Sequence, residues 1–526
     1  MQTITIPADG KNATPRVTDA IRKLTATGEE ALLRFEPGEY RFYKDGAHVA
    51  PFFPSNNASG EKRVIFPLLG CKNLTVDGDG ADFLFCDRVF PFILQNCENI
   101  TLKNFTMDFS FPRHCQGTVT ACDEEGFSLR MEEPFRNYEV REGNILFHTG
   151  SDIISTADKK LFFQDLTDHS VRVAYLFAGD CRDCDEGLAA PLMRTDASDT
   201  GDGLHFRYRP DSFRNRYGVG DTVFIGNDEN RENDMIFCEF SENLRFENIR
   251  MFRGAGMGII AQICRNIMVQ KVQIAPRNPD DLLSITADGI HAVNCSGQFT
   301  IRDCRIDRSI DDAINIHGAY FAVNNIPDAH TVQIGYRHPE QEGLIPCLAG
   351  DLLHVSDPDT LEERGQVRVR EVRYTPDRKD VRLIFDRDIG DLLRVGSLLE
   401  NPDRMPDILL EGNTVVACPH ILLSSSGKTV VRRNRLSLTY NDIAAHDALG
   451  YWYESGVIGE MILTDNDFEN PAGKRILLDT HRHKTTARRH GRLVIENNRF
   501  RAAQTDFLCA EALEELVVKG NRFSLT

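Results

Sequence analysis

The sequence predicts an all-β protein, a right-handed parallel β-helix. Three observations lead there: one strand template recurs along the chain, one template position is repeatedly Asn, and the repeats are spaced by about a coil's length. The template, apolar-x-apolar-x-x-(Asn or apolar)-x-apolar, is met by ITLKNFTM from Ile100, LRFENIRM from Leu244, IMVQKVQI from Ile267, FTIRDCRI from Phe299, ILLEGNTV from Ile408, TVVRRNRL from Thr429, MILTDNDF from Met461, LVIENNRF from Leu493 and LVVKGNRF from Leu516. Its sixth position falls at Phe105, Ile249, Val272, Cys304, Asn413, Asn434, Asn466, Asn498 and Asn521, with successive gaps of 144, 23, 32, 109, 21, 32, 32 and 23. A fixed period of this size is the mark of a solenoid.

Alternation with period two that changes phase at Asn describes a short strand, a bend and a second short strand, each burying alternate side chains. Stacked Asn side chains at the bend can bond coil to coil, so Asn434, Asn466, Asn498 and Asn521 are assigned to structure. A leucine-rich repeat would show a Leu-x-x-Leu-x-Leu framework with helical half-repeats; neither is present.

Residues 1–110 read as an N-terminal cap and the first coils. An amphipathic helix from about Pro15 to Leu24 is expected to cover the open apolar end. Asp77-Gly78-Asp79-Gly80 lacks the closing Glu of an EF-hand and reads as turns. The gaps of 144 and 109 mark insertions, since a coil uses only part of each. QGTVTACDEEGFSLRM and AGDLLHV with GQVRVREVRY read as hairpins. Residues 111–230 and 325–404 are therefore expected to be small β-barrel-like domains walling the region between them. Residues 231–324 are central coils and 405–526 the C-terminal ones.

Within the central coils, LLSITADGIHAVNCSGQFTIRDCRIDRSIDDAINIHGAY carries Asp288 and, 23 residues on, the pair Asp311-Asp312. One coil of offset would stack the three carboxylates on one face. Asp-Gly and Asp-Asp also serve as turn residues, but the surrounding His291, Asn294, Asn315 and His317 favour a site. Crowded carboxylates raise at least one pKa, so one group stays protonated as an acid while a neighbour stays ionised. Glycoside hydrolysis needs that division.

Composition narrows the partners. A net charge of −18 disfavours nucleic acid and an anionic membrane surface. No apolar run is long enough to span a bilayer. No signal-peptide pattern opens the sequence, so the expectation is a cytoplasmic protein as written, or an extracytoplasmic one if a leader precedes it. The 14 cysteines, among them Cys238, Cys264 and Cys304 in apolar strands, read as reduced and buried. Cys181 and Cys184 have no second pair to complete a zinc site. No cofactor and no metal are expected, and oligomeric state is not written in the sequence.

SITADGIHAVNC and DDAINIHGAY, together with GAGMGIIAQ at Gly254–Gln262, PSNNASGEKRVIFPLLGCKNLTVDGDGA and YWYESG at Tyr451–Gly456, resemble glycoside hydrolase family 110, in the right order over most of the chain. The resemblance implies an exo-acting, inverting, metal-free α-1,3-galactosidase. It would release terminal galactose from blood-group B type or linear α-1,3-galactosides. Carried over by motif, Asp288 is the general acid, and Asp311 and Asp312 position and deprotonate water. Inversion asks for about 6.5–9.5 Å between acid and base. Trp452, the only Trp, is expected to offer its face to a sugar. Glu454, Asn56 and Arg277 are candidate ligands for its hydroxyls.

Three alternatives stand beside this reading. A polygalacturonase-like hydrolase on another glycan shares the one-plus-two aspartates but wants a basic groove and a Gly-His-Gly segment, whereas Ile316 precedes His317-Gly318 here. A calcium-dependent lyase would need an Arg or Lys base, for which Arg277 is thin support. A non-catalytic glycan-binding adhesin or tailspike would leave the acid triplet without a purpose.

Overall fold

The structure is a computed structural model, and it describes every residue except 26–27, 113, 156–161, 166–194, 209–217, 227–230, 280, 439–440, 448–451, 470–475, 480–489, 502–506 and 525–526. Cys181 and Cys184 lie outside the described residues.

The chain is a parallel β-helix. Glu242–Met251 pairs in parallel with Glu98–Phe109 on one side and with Arg265–Gln270 and Gln273–Ile274 on the other. Those two short strands pair onward with Ser296–Arg302 and Arg305–Asp307. Arg250, Gln273 and Arg305 are in register, so Ile249, Val272 and Cys304 stand one above another at the bend, all buried. Twenty strands share this sheet. The rest of each coil forms another parallel wall from Gly60–Leu69 through Phe90–Gln95, Ile236–Glu239, Ile259–Gln262, Ile290–Val293 and Ile314–Ala319 to Leu508–Ala510. Leu, Ile, Val and Phe from the walls fill one continuous core.

Asparagines hold the bends. The Asn413 backbone N–H and side-chain amide both donate to Asn434 Oδ1, at 2.8 and 3.0 Å. The same double bond repeats from Asn434 to Asn466, Asn466 to Asn498 and Asn498 to Asn521. Each ladder Asn is thereby satisfied inside the coil, as buried amides must be. A second ladder, Asn73, Asn99, Asn243 and Asn266, runs along an exposed edge. All four take positive φ, between 54° and 57°. Asn tolerates that left-handed conformation, which is why it recurs at a corner whose flanking residues carry no fixed template.

The helix, Thr14–Leu24, buries Val17, Ala20, Ile21 and Leu24 in the same core. The second insertion is a closed six-stranded barrel from Phe321–Asp328 to Leu398–Glu400. It begins at Phe321 because the coil strand Ile314–Ala319 runs straight into it. In the first insertion the described strands make an open six-stranded antiparallel sheet and a three-stranded one rather than a closed barrel. The closed barrel is fastened to the coils by Arg378, whose guanidinium meets both oxygens of the fully buried Glu239 at 2.6 and 2.8 Å. Gln95 and Gln262 also donate to that carboxylate, so every charge in the joint is answered.

Candidate active site

Parallel registry builds the site. His291 pairs with Asn315 and Val293 with His317, so a strand whose Ile290 and Ala292 face the core turns its His291 outward, and the next coil does the same with Asn315 and His317. Just before these strands, the Gly289 N–H donates to the Asp312 carbonyl at 2.8 Å, and the Gly258 N–H to the Asp288 carbonyl at 2.9 Å. Asp312, 24 residues after Asp288, is therefore its stacking partner. The sequence placed the pair Asp311-Asp312 about one coil on without choosing between them; Asp311 sits one place earlier and is held differently. A Cβ on Gly289 would lie 2.5 Å from the Ala313 carbonyl oxygen. The Asp-Gly step thus serves close approach of coils.

Each carboxylate has its own partner. Asp288 Oδ2 is 2.8 Å from His291 Nδ1, and both residues are buried. Asp311 pairs with the Arg231 guanidinium. Asp312 Oδ1 lies 2.7 Å from His420 Nε2, an ion pair by distance although the N–H is not aimed straight at the oxygen. One oxygen from each of Asp288, Asp311 and Asp312 falls within 4.8 Å of the others. That spacing suits a shared cation or a shared proton, and here Arg231 and His420 already supply counter-charge. We assign no metal to it.

Electrostatics divides the three. Burial pushes Asp288 well above the ordinary carboxylate range, and the charges of Asp311 and Asp312 push the same way. Burial also raises Asp312, against the opposing charge of His420. His291 is driven well below its usual value by burial and then by His317, so it is neutral. Burial pushes His420 down, but Asp312 outweighs it and the net shift is upward. The result is one carboxyl pushed strongly towards its protonated form, facing two others that lie beside Arg231 and His420.

The remaining candidates separate. Glu454 sits on a two-residue strand antiparallel to Gly318-Ala319. Its Oε1 lies 3.4 Å from Asn315 Nδ2 and 3.5 Å from His317 Nε2. Trp452, half-buried, packs against His338 with ring centres 4.2 Å apart, and Arg231 lies 5.2 Å from its ring centre. Asn56 joins through its backbone, with its carbonyl accepting from Arg231 at 2.9 Å. Asn294 is not presented to a ligand: its oxygen accepts from the Ala319 N–H at 3.1 Å and its amide reaches the Pro346 carbonyl at 3.5 Å. Arg277 also belongs elsewhere, pairing with Asp108 at 2.8 Å over the Phe252 ring. Arg231 and His420 were missed by sequence reasoning, since neither lies in a motif near the acids. A cleft of about 490 Å³ beside the helix is lined by Thr18, Arg22, His48 and Leu69 among others, none of them a site candidate.

No family model matches the chain. Among curated proteins it is 27% identical to Alpha-1,3-galactosidase A of Shewanella woodyi, over 99% of this chain and 84% of that one. It is 28% identical to an Alpha-1,3-galactosidase B of Phocaeicola vulgatus, over 98% of this chain and 88% of that one. These relatives support the resemblance to glycoside hydrolase family 110. Glycoside hydrolysis calls for a proton donor and a means of activating water; Asp288 and the Asp311-Asp312 pair are the candidates for both. Among solved structures, the Streptococcus pneumoniae surface adhesin PfbA is 10% identical over 99% of this chain and 97% of that one, with a TM-score of 0.34.

Proposed function

We propose that this glycoside hydrolase is an exo-acting α-1,3-galactosidase that removes terminal galactose with inversion. The observation that carries the reading is the buried Asp288, protonated by its surroundings, beside two carboxylates held by Arg231 and His420. Asp288 gives its proton to the leaving glycosidic oxygen. Asp311 or Asp312 takes a proton from the attacking water, and Asp311, 24% exposed against 8% for Asp312, is the more open to it. The names of the relatives support the α-1,3-galactoside as substrate. Trp452 and Glu454 flank the acids as an apolar face and a hydroxyl acceptor.

Inversion takes its support from the resemblance and from the two ion-paired carboxylates. The nearest oxygens lie inside 4.8 Å, below the about 6.5–9.5 Å of inverting carboxyl pairs. That measure runs between the closest oxygens, and carboxyl centres stand farther apart by up to two C–O bonds. Galactose release from an α-1,3-galactosyl disaccharide tests the activity. No release from that linkage, with turnover of another glycan, would give the site to a different glycosidase.

A further inference from the structure

We propose that His317, acting through His291, is a positioning residue that keeps the proton on Asp288, an inference that rests on Asp288 being the general acid. Three hydrogen bonds link the Gly318 carbonyl to Asp288. His317 Nδ1 lies 2.6 Å from the Gly318 carbonyl oxygen. A carbonyl only accepts, so this nitrogen carries a hydrogen. In a neutral ring, His317 Nε2 is then bare and can only accept. It faces His291 Nε2 at 3.3 Å, which must be the donor. His291 is neutral, because burial disfavours its charged form. Its single hydrogen is spent on His317, and its Nδ1 is bare. That bare nitrogen lies 2.8 Å from Asp288 Oδ2. Two acceptors at that distance repel, so the proton between them belongs to Asp288.

The anchor is rigid at its far end. Gly318 pairs with Ser455, and a Cβ there would lie 2.6 Å from Ser455 Oγ, which fixes the carbonyl that selects the tautomer. The order Gly318 carbonyl, His317, His291, Asp288 thus carries a preference from a backbone group to a catalytic carboxyl. It follows the general rule that the hydrogen bond at one ring nitrogen decides what the other can do. The charged groups facing Asp288 are Asp311, Asp312, Glu454 and Arg231. Glu454 also lies beside His317 Nε2 at 3.5 Å, and an imidazolium on His317 shared with Glu454 is the opposite arrangement.

The test is the alkaline limb of kcat/KM in the otherwise intact enzyme, on a natural disaccharide. His317→Leu frees His291 to take the other tautomer and donate to an ionised Asp288. The limb for the disaccharide is then expected to fall by about one pH unit or more. His317→Gln, which keeps an acceptor for His291, is expected to restore it. 15N NMR of labelled histidine reads the same point without turnover: His291 Nδ1 should be unprotonated in the wild type and protonated in His317→Leu. A limb that stays put or moves to higher pH, or a protonated His291 Nδ1 in the wild type, overturns the proposal. Absence of galactose release by the wild type would instead sink the functional reading, and the NMR result would still stand on its own.

Discussion

Asp288 and Asp312 occupy the same place in consecutive coils, with the Gly289 N–H donating to the Asp312 carbonyl at 2.8 Å. Their chemistry nevertheless differs, because one carboxyl meets a neutral imidazole and the other lies beside His420. Identical backbone positions with different side-chain partners give the two carboxyls the separate environments that the proposed acid and base roles need.

Gly289 lies at a close approach of the two coils. Gly289→Ala would set its Cβ against a backbone carbonyl, which cannot rotate away. We expect a loss of about 1–3 kcal/mol in denaturant unfolding and a larger relative loss of kcat. Wild-type activity in that variant would show that the coils can separate without disturbing the acids.

The joint between barrel and coils should be costly to break. Arg378→Met leaves Glu239 buried with its charge uncompensated, and roughly 3–5 kcal/mol should be lost. Glu239→Gln with Arg378→Met should recover part of it. Equal stability of single and double variants in urea would contradict a coupled pair.

Asp234 predicts a pH-dependent stability. Burial pushes its carboxyl from the ordinary 3.8 up to about 7. The folded state therefore holds a proton that the unfolded state releases, so stability falls as pH rises through that window, by roughly 4 kcal/mol at most. Asp234→Asn should flatten Tm against pH between those limits. An unchanged slope would mean that Asp234 is ionised in the fold.

His420 is expected to set the acid limb of activity. Its charge opposes the rise that burial imposes on Asp312, so His420→Gln should move that limb to higher pH. A limb that moved to lower pH, or not at all, would remove Asp312 from water activation.

Chelation should leave activity intact, since the proposed steps are proton transfers alone. Loss of turnover in EDTA, restored by a divalent cation, would place an ion among Asp288, Asp311 and Asp312. Product stereochemistry followed by NMR should show β-galactose first; initial α-galactose would mean retention.

Much of the fold was legible because a coil writes its period directly into the chain, as Asn434, Asn466 and Asn498 do. The acids were legible as a cluster for the same reason. Their register was not: the spacing placed Asp311 and Asp312 together about one coil on, and hydrogen bonds between coils align Asp312. Arg231 and His420 were hidden because each arrives from a distant part of the sequence, His420 only after the barrel insertion returns the chain to the coil. Asn294 and Arg277 looked like ligands because proximity in sequence to the acids says nothing about direction. One is used up on Ala319 and Pro346, the other on Asp108.

The account turns on Asp288 delivering a proton to the leaving oxygen, and leaving-group dependence tests that most directly. Asp288→Asn should lose about 10²–10⁴-fold or more in kcat on an α-1,3-galactosyl disaccharide. It should lose far less on an activated aryl α-galactoside, whose leaving group needs little protonation. Asp311→Asn and Asp312→Asn should harm both substrates alike. An Asp288→Asn enzyme equally impaired on both, or active on the disaccharide, would contradict it.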